Sequence, residues 1–228
     1  GLVLLLDSPQ SHEFIHAVTK RFSDTTPGTL LSPAVRKSLT AAIETLVSAG
    51  AELLCGGTPV EGKCSVANTL LQTKAPAFLE NPHVFQTEAF GNASLVVVAE
   101  SIEQLANCIE QLEGNLTGCI YSSTTGADDA DYPIAAAPMA RRAGRVLNDK
   151  MPTGVAVSSA MNHGGPYPAT GHPGFTAVGI PASLVRFGKL TCYDAVREPR
   201  LPELLRNKNP TGKTWRLVDL EWTQRDLV

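Results

Sequence analysis

The stretch SLVVVAESIEQLANCIEQLEG, residues 94–114, decides the fold class of this chain. Its first part, Ser94 to Glu100, is a β-branched apolar run that is typical of a buried strand. Ser101 and Gln104 then form a capping box, which predicts the start of a helix. Gly114 closes that helix, whose apolar face repeats at helical spacing through Ile102, Leu105, Ile109 and Leu112. A buried strand that leads directly into an amphipathic helix indicates an α/β domain.

The same pattern repeats on both sides of this stretch. Upstream lie an apolar strand, two helices and a buried strand in AELLCGG (51–57). Ser8-Pro9 and Ser32-Pro33 each mark the cap and the first residue of one of these helices. The predicted apolar faces of these helices are Phe14, Val18 and Phe22 for the first, and Val35, Leu39, Ile43 and Leu46, ended by Gly50, for the second. Downstream follow a strand at 116–122, a weaker helix with Pro133 and Pro138, and the strand RVLN (145–148). Near-continuous apolar strands alternating with helices predict a mostly parallel, Rossmann-like sheet flanked by helices.

The last third of the chain has a different character. The segment NHGGPYPATGHPGF (162–175) is rich in Gly, Pro and His and predicts an irregular surface or site loop. An amphipathic stretch (175–184) and a strand in VRFGKLTCYDAV (185–196) are predicted next. We therefore expect an α/β domain over 1–184, and a strand and tail used for assembly over 185–228. Trp215 and Trp222 in the polar tail suggest that it docks on a surface, such as a second subunit.

Composition excludes several classes of protein. With 228 residues, of which 43% are apolar and 18% charged, the chain can bury a substantial core. A net charge of −3 without a basic stripe argues against a nucleic-acid partner, and no apolar run reaches the roughly 20 residues that span a bilayer. The five cysteines are widely spaced and include no C-x-x-C pair, which favours reduced thiols in a cytoplasmic protein over disulfides or a zinc site.

Isolated reactive side chains give weak signals. His12 and His16 have the i, i+4 spacing of two metal ligands, but no third ligand is suggested and a solvated helix face is favoured. Cys55 ends a strand before two glycines, where sites can form, yet a structural role is favoured. Cys108, Cys119 and Cys192 are expected to be inert packing groups. The sequence thus predicts no metal site.

A more specific signal is QTEAFGNASLVVV (86–98), in which Glu88 stands just before Ala-Phe-Gly and a buried strand. By itself this pattern fits a solvated carboxylate in a turn as well as a functional one. The two alternatives stay open on the residues alone.

Together with its surroundings, this segment resembles the aldehyde dehydrogenase superfamily. The family carries Glu-x-Phe-Gly-Pro before a strand, and EAFGN matches it at Glu88, Phe90 and Gly91, with Asn92 in place of the Pro. AGAELLCGG (49–57) and GRVLND (144–149) resemble two further family segments. MPTGVAVSSAMNHGGPYPAT (151–170) and the tail LPELLRNKNPTGKTWRLVD (201–219) are similar to the branch of 2,5-dioxopentanoate (α-ketoglutarate semialdehyde) and fatty aldehyde dehydrogenases.

The resemblance implies an NAD(P)-dependent oxidation of an aldehyde to a carboxylic acid, in a homo-oligomeric enzyme. It also implies that 1–184 is part of the catalytic domain and that 185–228 is an oligomerisation strand and C-terminal tail. Glu88 would accept hydrogen bonds from the ribose hydroxyls of NADP or NAD, and Phe90 would pack near the nicotinamide. Asn148 and the segment His163, Gly164, Gly165 and Pro166 would shape the substrate mouth.

The resemblance also implies that the catalytic side chains lie elsewhere. In the family a nucleophilic Cys directly precedes an apolar strand that 2–6 resembles, and none of the five cysteines here matches its motif. We therefore expect the nucleophile, the general-base Glu and the cofactor domain upstream of Gly1, and the chain alone to be inactive. The alternative is a degenerate, non-catalytic domain used for structure or subunit interaction.

Overall fold

The computed structural model describes residues 1–153, 158–172, 174, 176, 178, 183, 184 and 187–227. The chain divides into two compact units, Gly1–Arg186 and Phe187–Val228. The first unit carries six helices and six strands among its described residues: β1 Leu2–Leu6, α1 Pro9–Asp24, α2 Pro33–Ser48, β2 Glu52–Cys55, β3 Thr69–Lys74, α3 Ala75–Glu80, α4 Pro82–Phe85, β4 Ala93–Ala99, α5 Ile102–Glu110, β5 Asn115–Ile120, α6 Tyr132–Arg142 and β6 Ala143–Asn148.

Serine caps start the three helices for which the sequence predicts them. The Ser8 hydroxyl accepts from the Ser11 N–H at 3.1 Å, and the Ser32 hydroxyl accepts from the Val35 N–H at 3.3 Å. The Ser101 hydroxyl accepts from the Gln104 N–H at 3.2 Å, while Gln104 Oε1 accepts from the Glu100 N–H, one residue before the cap. These bonds satisfy N–H groups that have no partner within the helix, so the local sequence fixes where each helix begins.

The main sheet has four strands in the order β1-β4-β3-β2. Strand β4 pairs in parallel with β1, with Leu4 opposite Val97, and in parallel with β3, with Leu71 opposite Leu95. Strand β2 pairs antiparallel with β3, with an irregularity between Leu53 and Cys55. Strands β5 and β6 form a separate parallel pair. The predicted α/β class with a mostly parallel sheet flanked by helices is confirmed.

Helices cover both faces of β4. Its side chains at 95, 97 and 99 pack in the cluster that includes Phe78 of α3 and Ile109 of α5. Its side chains at 96 and 98 pack with Ile15 of α1 and Leu70 of β3. Because alternate side chains of a strand point to opposite faces, a strand covered on both faces needs an unbroken apolar run, which β4 has.

Two predictions for the main sheet and the helices around it are wrong. The strand in AELLCGG is not buried, because β2 lies at an edge of the sheet and Glu52 and Leu53 are exposed. On α1 the buried residue is Ile15, whereas the predicted Phe14 is exposed. Ile15, Val18 and Phe22 form the contacting face, since positions three and seven residues apart lie on one side of a helix.

The second unit contains a short hairpin, which we number β7 Arg216–Val218 and β8 Glu221–Thr223. The buried Asn209 side chain donates to the Thr214 and Gln224 carbonyls at 2.9 and 2.7 Å and so joins the two ends of the hairpin. The predicted strand over 185–196 does not form in the described residues 187–196, all of which are exposed, so burial does not favour an extended strand there. Residues 185 and 186 and most of the predicted amphipathic stretch 175–184 lie outside the described residues. The use of 185–228 for assembly stays a prediction.

No helix within the described ranges combines the length and the apolar character that crossing a bilayer requires.

Candidate functional site

Glu88 and Phe90 lie on the loop of residues 86–92, between α4 and β4, which we call the EAFGN loop. The Glu88 side chain is exposed and makes no hydrogen bond or ion pair within the part of the chain that the structure describes. Phe90 is 63% exposed, although it is a large aromatic residue. Burial lowers the pKa of the Gly1 amino group in the same cleft, and the charge of the Glu88 carboxylate partly offsets this. A carboxylate without a hydrogen bond or ion pair in the described part of the chain and an uncovered ring on one short loop are available to a ligand.

The EAFGN loop borders a cleft of about 960 Å³. The cleft lies at the amino-terminal ends of three strands, where Leu2 of β1, Ala93 of β4 and Asn115 of β5 line it. Pro168 and Ala169 line it as well, and they belong to the stretch 162–175, which we call the Gly/Pro-rich segment. The structure thus brings the EAFGN loop and the Gly/Pro-rich segment to one cleft.

Side-chain amides at both ends hold the EAFGN loop. Asn92 donates through Nδ2 to the Val66 carbonyl and to Asn68 Oδ1, each at 2.8 Å. Gln86 donates through Nε2 to the Pro82 and Gln111 carbonyls at 2.9 and 3.0 Å, and its Oε1 accepts from the Glu113 N–H at 2.7 Å. No local sequence pattern marks Gln86 and Asn68, because all their side-chain partners except Pro82 are 24 or more residues away along the chain.

Gly164 and Gly165 are buried against the starts of β5 and β6. A Cβ added at Gly165 would lie 2.1 Å from the Asn115 carbonyl oxygen, and one at Gly144 would lie 1.6 Å from the Gly164 carbonyl oxygen. Asn162 Nδ2 donates to the Gly144 carbonyl at 3.1 Å, and the Gly165 N–H donates to Thr170 Oγ1 at 3.0 Å. These glycines therefore permit close backbone contact. His163 at the start of the segment is exposed, and its N–H donates to the Thr176 carbonyl at 2.9 Å; Pro166 is half-buried.

Asn148 lies at the other end of β6. Its Nδ2 donates to the Ile120 carbonyl at 2.8 Å and to Ser122 Oγ at 2.9 Å. Four residues of a strand separate it from Gly144, a distance of about 13 Å. The structure therefore does not bring Asn148 together with Gly164 and Gly165, and its role at a substrate mouth stays a prediction.

The cysteines differ in their surroundings. Cys108, on the buried face of α5, is fully buried, and burial raises the pKa of its thiol to about 11, which makes it a packing group, as predicted. Cys55 is half-buried, and its thiol donates weakly to the Asn68 carbonyl at 3.7 Å. His12 pairs with Asp7 at 2.8 Å. Among the described residues no group of three His, Cys, Asp or Glu side chains could hold a metal ion.

Comparison with known proteins agrees with this arrangement. Residues 13–165 match the model of the aldehyde dehydrogenase family. The chain is 34% identical over 212 residues to alpha-ketoglutaric semialdehyde dehydrogenase 2 of Azospirillum brasilense, which covers 92% of this chain and 39% of that protein. It is also 34% identical to the alpha-ketoglutaric semialdehyde dehydrogenase of Acinetobacter baylyi, over 98% of this chain and 42% of that protein. The chain thus spans about two fifths of the length of these relatives.

A solved structure shares the fold. The succinic semialdehyde dehydrogenase of Streptococcus pyogenes, solved with NADP+ as the cofactor, superposes with a TM-score of 0.56 at 20% identity, over 72% of this chain and 35% of that one. Because the family model covers well over half of the chain and the curated relatives align along nearly all of it, this chain belongs to the aldehyde dehydrogenase family.

Proposed function

We propose that this chain supplies the cofactor-ribose contact and part of the substrate mouth of an NAD(P)-dependent aldehyde dehydrogenase that oxidises a semialdehyde to a carboxylic acid. The observation that carries the proposal is the EAFGN loop, which presents an unpaired carboxylate and an uncovered aromatic ring at the cleft. The names of the relatives support 2,5-dioxopentanoate, the α-ketoglutarate semialdehyde, as the substrate.

The residues present fit a nicotinamide nucleotide. A carboxylate without a partner suits a vicinal diol, because its two oxygens can accept from both ribose hydroxyls. The Phe90 ring offers an apolar surface against which a flat heteroaromatic ring can pack. When bound, the nicotinamide accepts the hydride that the aldehyde loses. Glu88 and Phe90 orient the ribose and the ring, and the Gly/Pro-rich segment, with His163 and Pro166, borders the aldehyde.

The start of β1 supports the same assignment. Gly1 and Leu2 line the cleft beside Glu88, and the Leu95 N–H donates to the Gly1 carbonyl at 2.9 Å. In the family, the segment that carries the nucleophilic Cys directly precedes the strand that β1 resembles. The 228 residues include no cysteine in that motif, so we propose that the chain alone does not oxidise aldehydes.

The test is Glu88→Gln in the complete protein that carries this sequence. Losing a charge-assisted hydrogen bond costs about 1.5–3 kcal/mol, so we expect the KM for NAD(P)+ to rise roughly 10- to 100-fold with the fold intact. Glu44→Gln, on the exposed side of α2, is the matched control. An unchanged KM for the cofactor would indicate that Glu88 is only a solvated side chain in a turn. Turnover by the 228-residue chain alone would contradict the assignment of the nucleophile.

As part of the proposal, the chain assembles with further copies of itself. Trp215, Leu217 and Trp222 share one face of the tail hairpin and are exposed, a feature typical of an interaction surface. Light scattering should give a dimer or larger species for the complete protein, and Trp215→Ser with Trp222→Ser should weaken it. A stable monomer at all concentrations would contradict this part.

A further inference from the structure

The EAFGN loop carries both proposed cofactor contacts, yet neither of them is itself held by a bond within the described residues. We propose that Asn92 and Gln86 are positioning residues that fasten the two ends of this loop and thereby aim Glu88 and Phe90 at the cleft. This inference rests on the proposed function, and it concerns residues that touch the loop rather than the cofactor.

Asn92 fastens the end of the loop that leads into β4. Its side chain bridges to the Val66 carbonyl and Asn68 Oδ1, and its own carbonyl accepts from the Thr69 N–H at 2.9 Å. Three bonds therefore tie one residue to the segment just before and at the start of β3. Glu88 lies four residues away, so backbone motion at Asn92 would also move the Glu88 carboxylate.

Asn68 extends this fastening to a third element. Its Nδ2 donates to the Thr25 carbonyl at 2.7 Å and to the Phe22 carbonyl at 3.2 Å, both at the end of α1. The last carbonyls of a helix have no partner within it, so the amide of Asn68 satisfies two of them. The loop is thus held through Asn68 to a helix that packs on the main sheet.

Gln86 fastens the other end of the loop. Its amide bridges the first residue of α4, Pro82, and the residues after α5, at Gln111 and Glu113. Glu113 also pairs with His83 at 2.8 Å, which adds a second link between the same elements. Because both ends of the loop are held, the positions of Glu88 and Phe90 between Gln86 and Asn92 are restrained.

Asn92 is also the residue at which this chain departs from the family motif, where a Pro stands. A Pro limits the backbone through its ring, which fixes φ near −65°. An Asn has no such ring, but its amide can donate two hydrogen bonds. The contacts of Asn92 indicate that this chain holds the loop by side-chain hydrogen bonds where the family uses a rigid ring.

The first measurement does not use activity. Hydrogen–deuterium exchange of the peptide covering 86–92 is compared between the complete protein and its Asn92→Ala and Asn92→Asp variants, with Asn107→Ala, an exposed Asn on α5, as the control. A neutral hydrogen bond contributes about 1 kcal/mol, so losing it should speed local exchange about 5-fold or more. Asp keeps the shape but cannot donate, so it should act at least as strongly as Ala. Unchanged exchange would overturn the inference.

The second measurement separates positioning from folding. In Asn92→Ala we expect the KM for NAD(P)+ to rise about 5-fold, with the KM for the aldehyde changed less than about 2-fold. Loss of folded protein would lower kcat alone. If Asn92→Ala does not fold, Asn68→Ala removes one of the Asn92 bonds together with the two bonds to the end of α1, and it should shift the cofactor KM in the same direction.

The outcomes for the two proposals are distinct. Faster loop exchange with an unchanged cofactor KM, in a protein where Glu88→Gln does raise that KM, overturns the positioning role and leaves the proposed function standing. An unchanged KM in Glu88→Gln overturns the proposed function itself. Faster exchange together with a raised cofactor KM in both variants supports the inference.

Discussion

The four-stranded sheet and the β5–β6 pair arise from similar apolar sequences and end in different environments. Every residue of β4 except Ser94 is buried, because β1 and β3 flank it and helices cover both its faces. In β5 and β6, Leu116 and Val146 are exposed, and each strand has only the other as its neighbour within the described residues. The difference teaches that an apolar run predicts a strand, whereas its burial depends on what the rest of the chain places against it.

One pair of identical substitutions measures this difference most directly. Leu70 of β3 is 1% exposed in the cluster with Ile15, whereas Leu116 of β5 is 44% exposed. Leu70→Ala should lower the free energy of unfolding by about 2–5 kcal/mol, since it leaves a cavity in a packed core. Leu116→Ala should cost less than about 1 kcal/mol, because the side chain is already half in solvent. Urea denaturation followed by circular dichroism measures both.

The result for Leu116 tests whether the β5–β6 pair is less covered than the four-stranded sheet. A cost above about 2 kcal/mol would show that this face is covered in solution, because half-exposed leucines do not lose that much on truncation. A small cost for both variants would contradict the assignment of the core to the four-stranded sheet.

A smaller change in folding stability is expected at alkaline pH from the buried Cys108 of the first region, but not from Cys119 of the second. Burial raises the pKa of the Cys108 thiol from 9.0 to about 11 in the folded chain. Below pH 9 the thiol is protonated in both the folded and the unfolded chain, so it does not make folding stability depend on pH. Between pH 9 and 11 only the unfolded chain releases the proton, so folding stability falls as pH rises, by up to about 2–3 kcal/mol from this group.

Two cysteine variants isolate this effect. Cys108→Ala should remove part of the fall in stability between pH 9 and 11, measured by urea denaturation under reducing conditions. Cys119→Ala is the control from the other region, since Cys119 is half-buried in β5 and its thiol donates to the Lys150 carbonyl at 2.6 Å. Equal pH profiles for wild type and Cys108→Ala would show that the thiol is not desolvated.

Much of the candidate site was predictable from the sequence, because its signal is local. Glu88, Phe90 and Gly91 stand within four residues of one another, and β4 follows at once, so a short motif marks the loop. Its fastening was not predictable. Gln86 bonds to Gln111, 25 residues away, and Asn92 to Val66, 26 residues away, and no periodicity or spacing relates such residues.

The Gly/Pro-rich segment shows the same division. Its composition predicts an irregular loop, but the reason for Gly164 and Gly165 appears only when the backbone of Asn115 and Gly144 lies against them. Asn148 differs from this segment. The family resemblance implies a place for it at the substrate mouth, the parallel register of β5 and β6 puts it at the far end of β6 from Gly144, and its role stays a prediction.

Most helices and strands of the first unit, the serine caps and the family motif could be predicted from the sequence, because propensity, capping and short motifs depend on residues within a few positions. Strand β3 and the short helices α3 and α4 were not predicted. The folded chain was needed to show that β4 lies inside the sheet and β2 at an edge, that Ile15 rather than Phe14 faces the sheet, and that the EAFGN loop meets the Gly/Pro-rich segment at one cleft. Those outcomes depend on contacts between distant parts of the chain. Burial and hydrogen bonding there are set by which surfaces pack together, and residues that are close in sequence do not specify this.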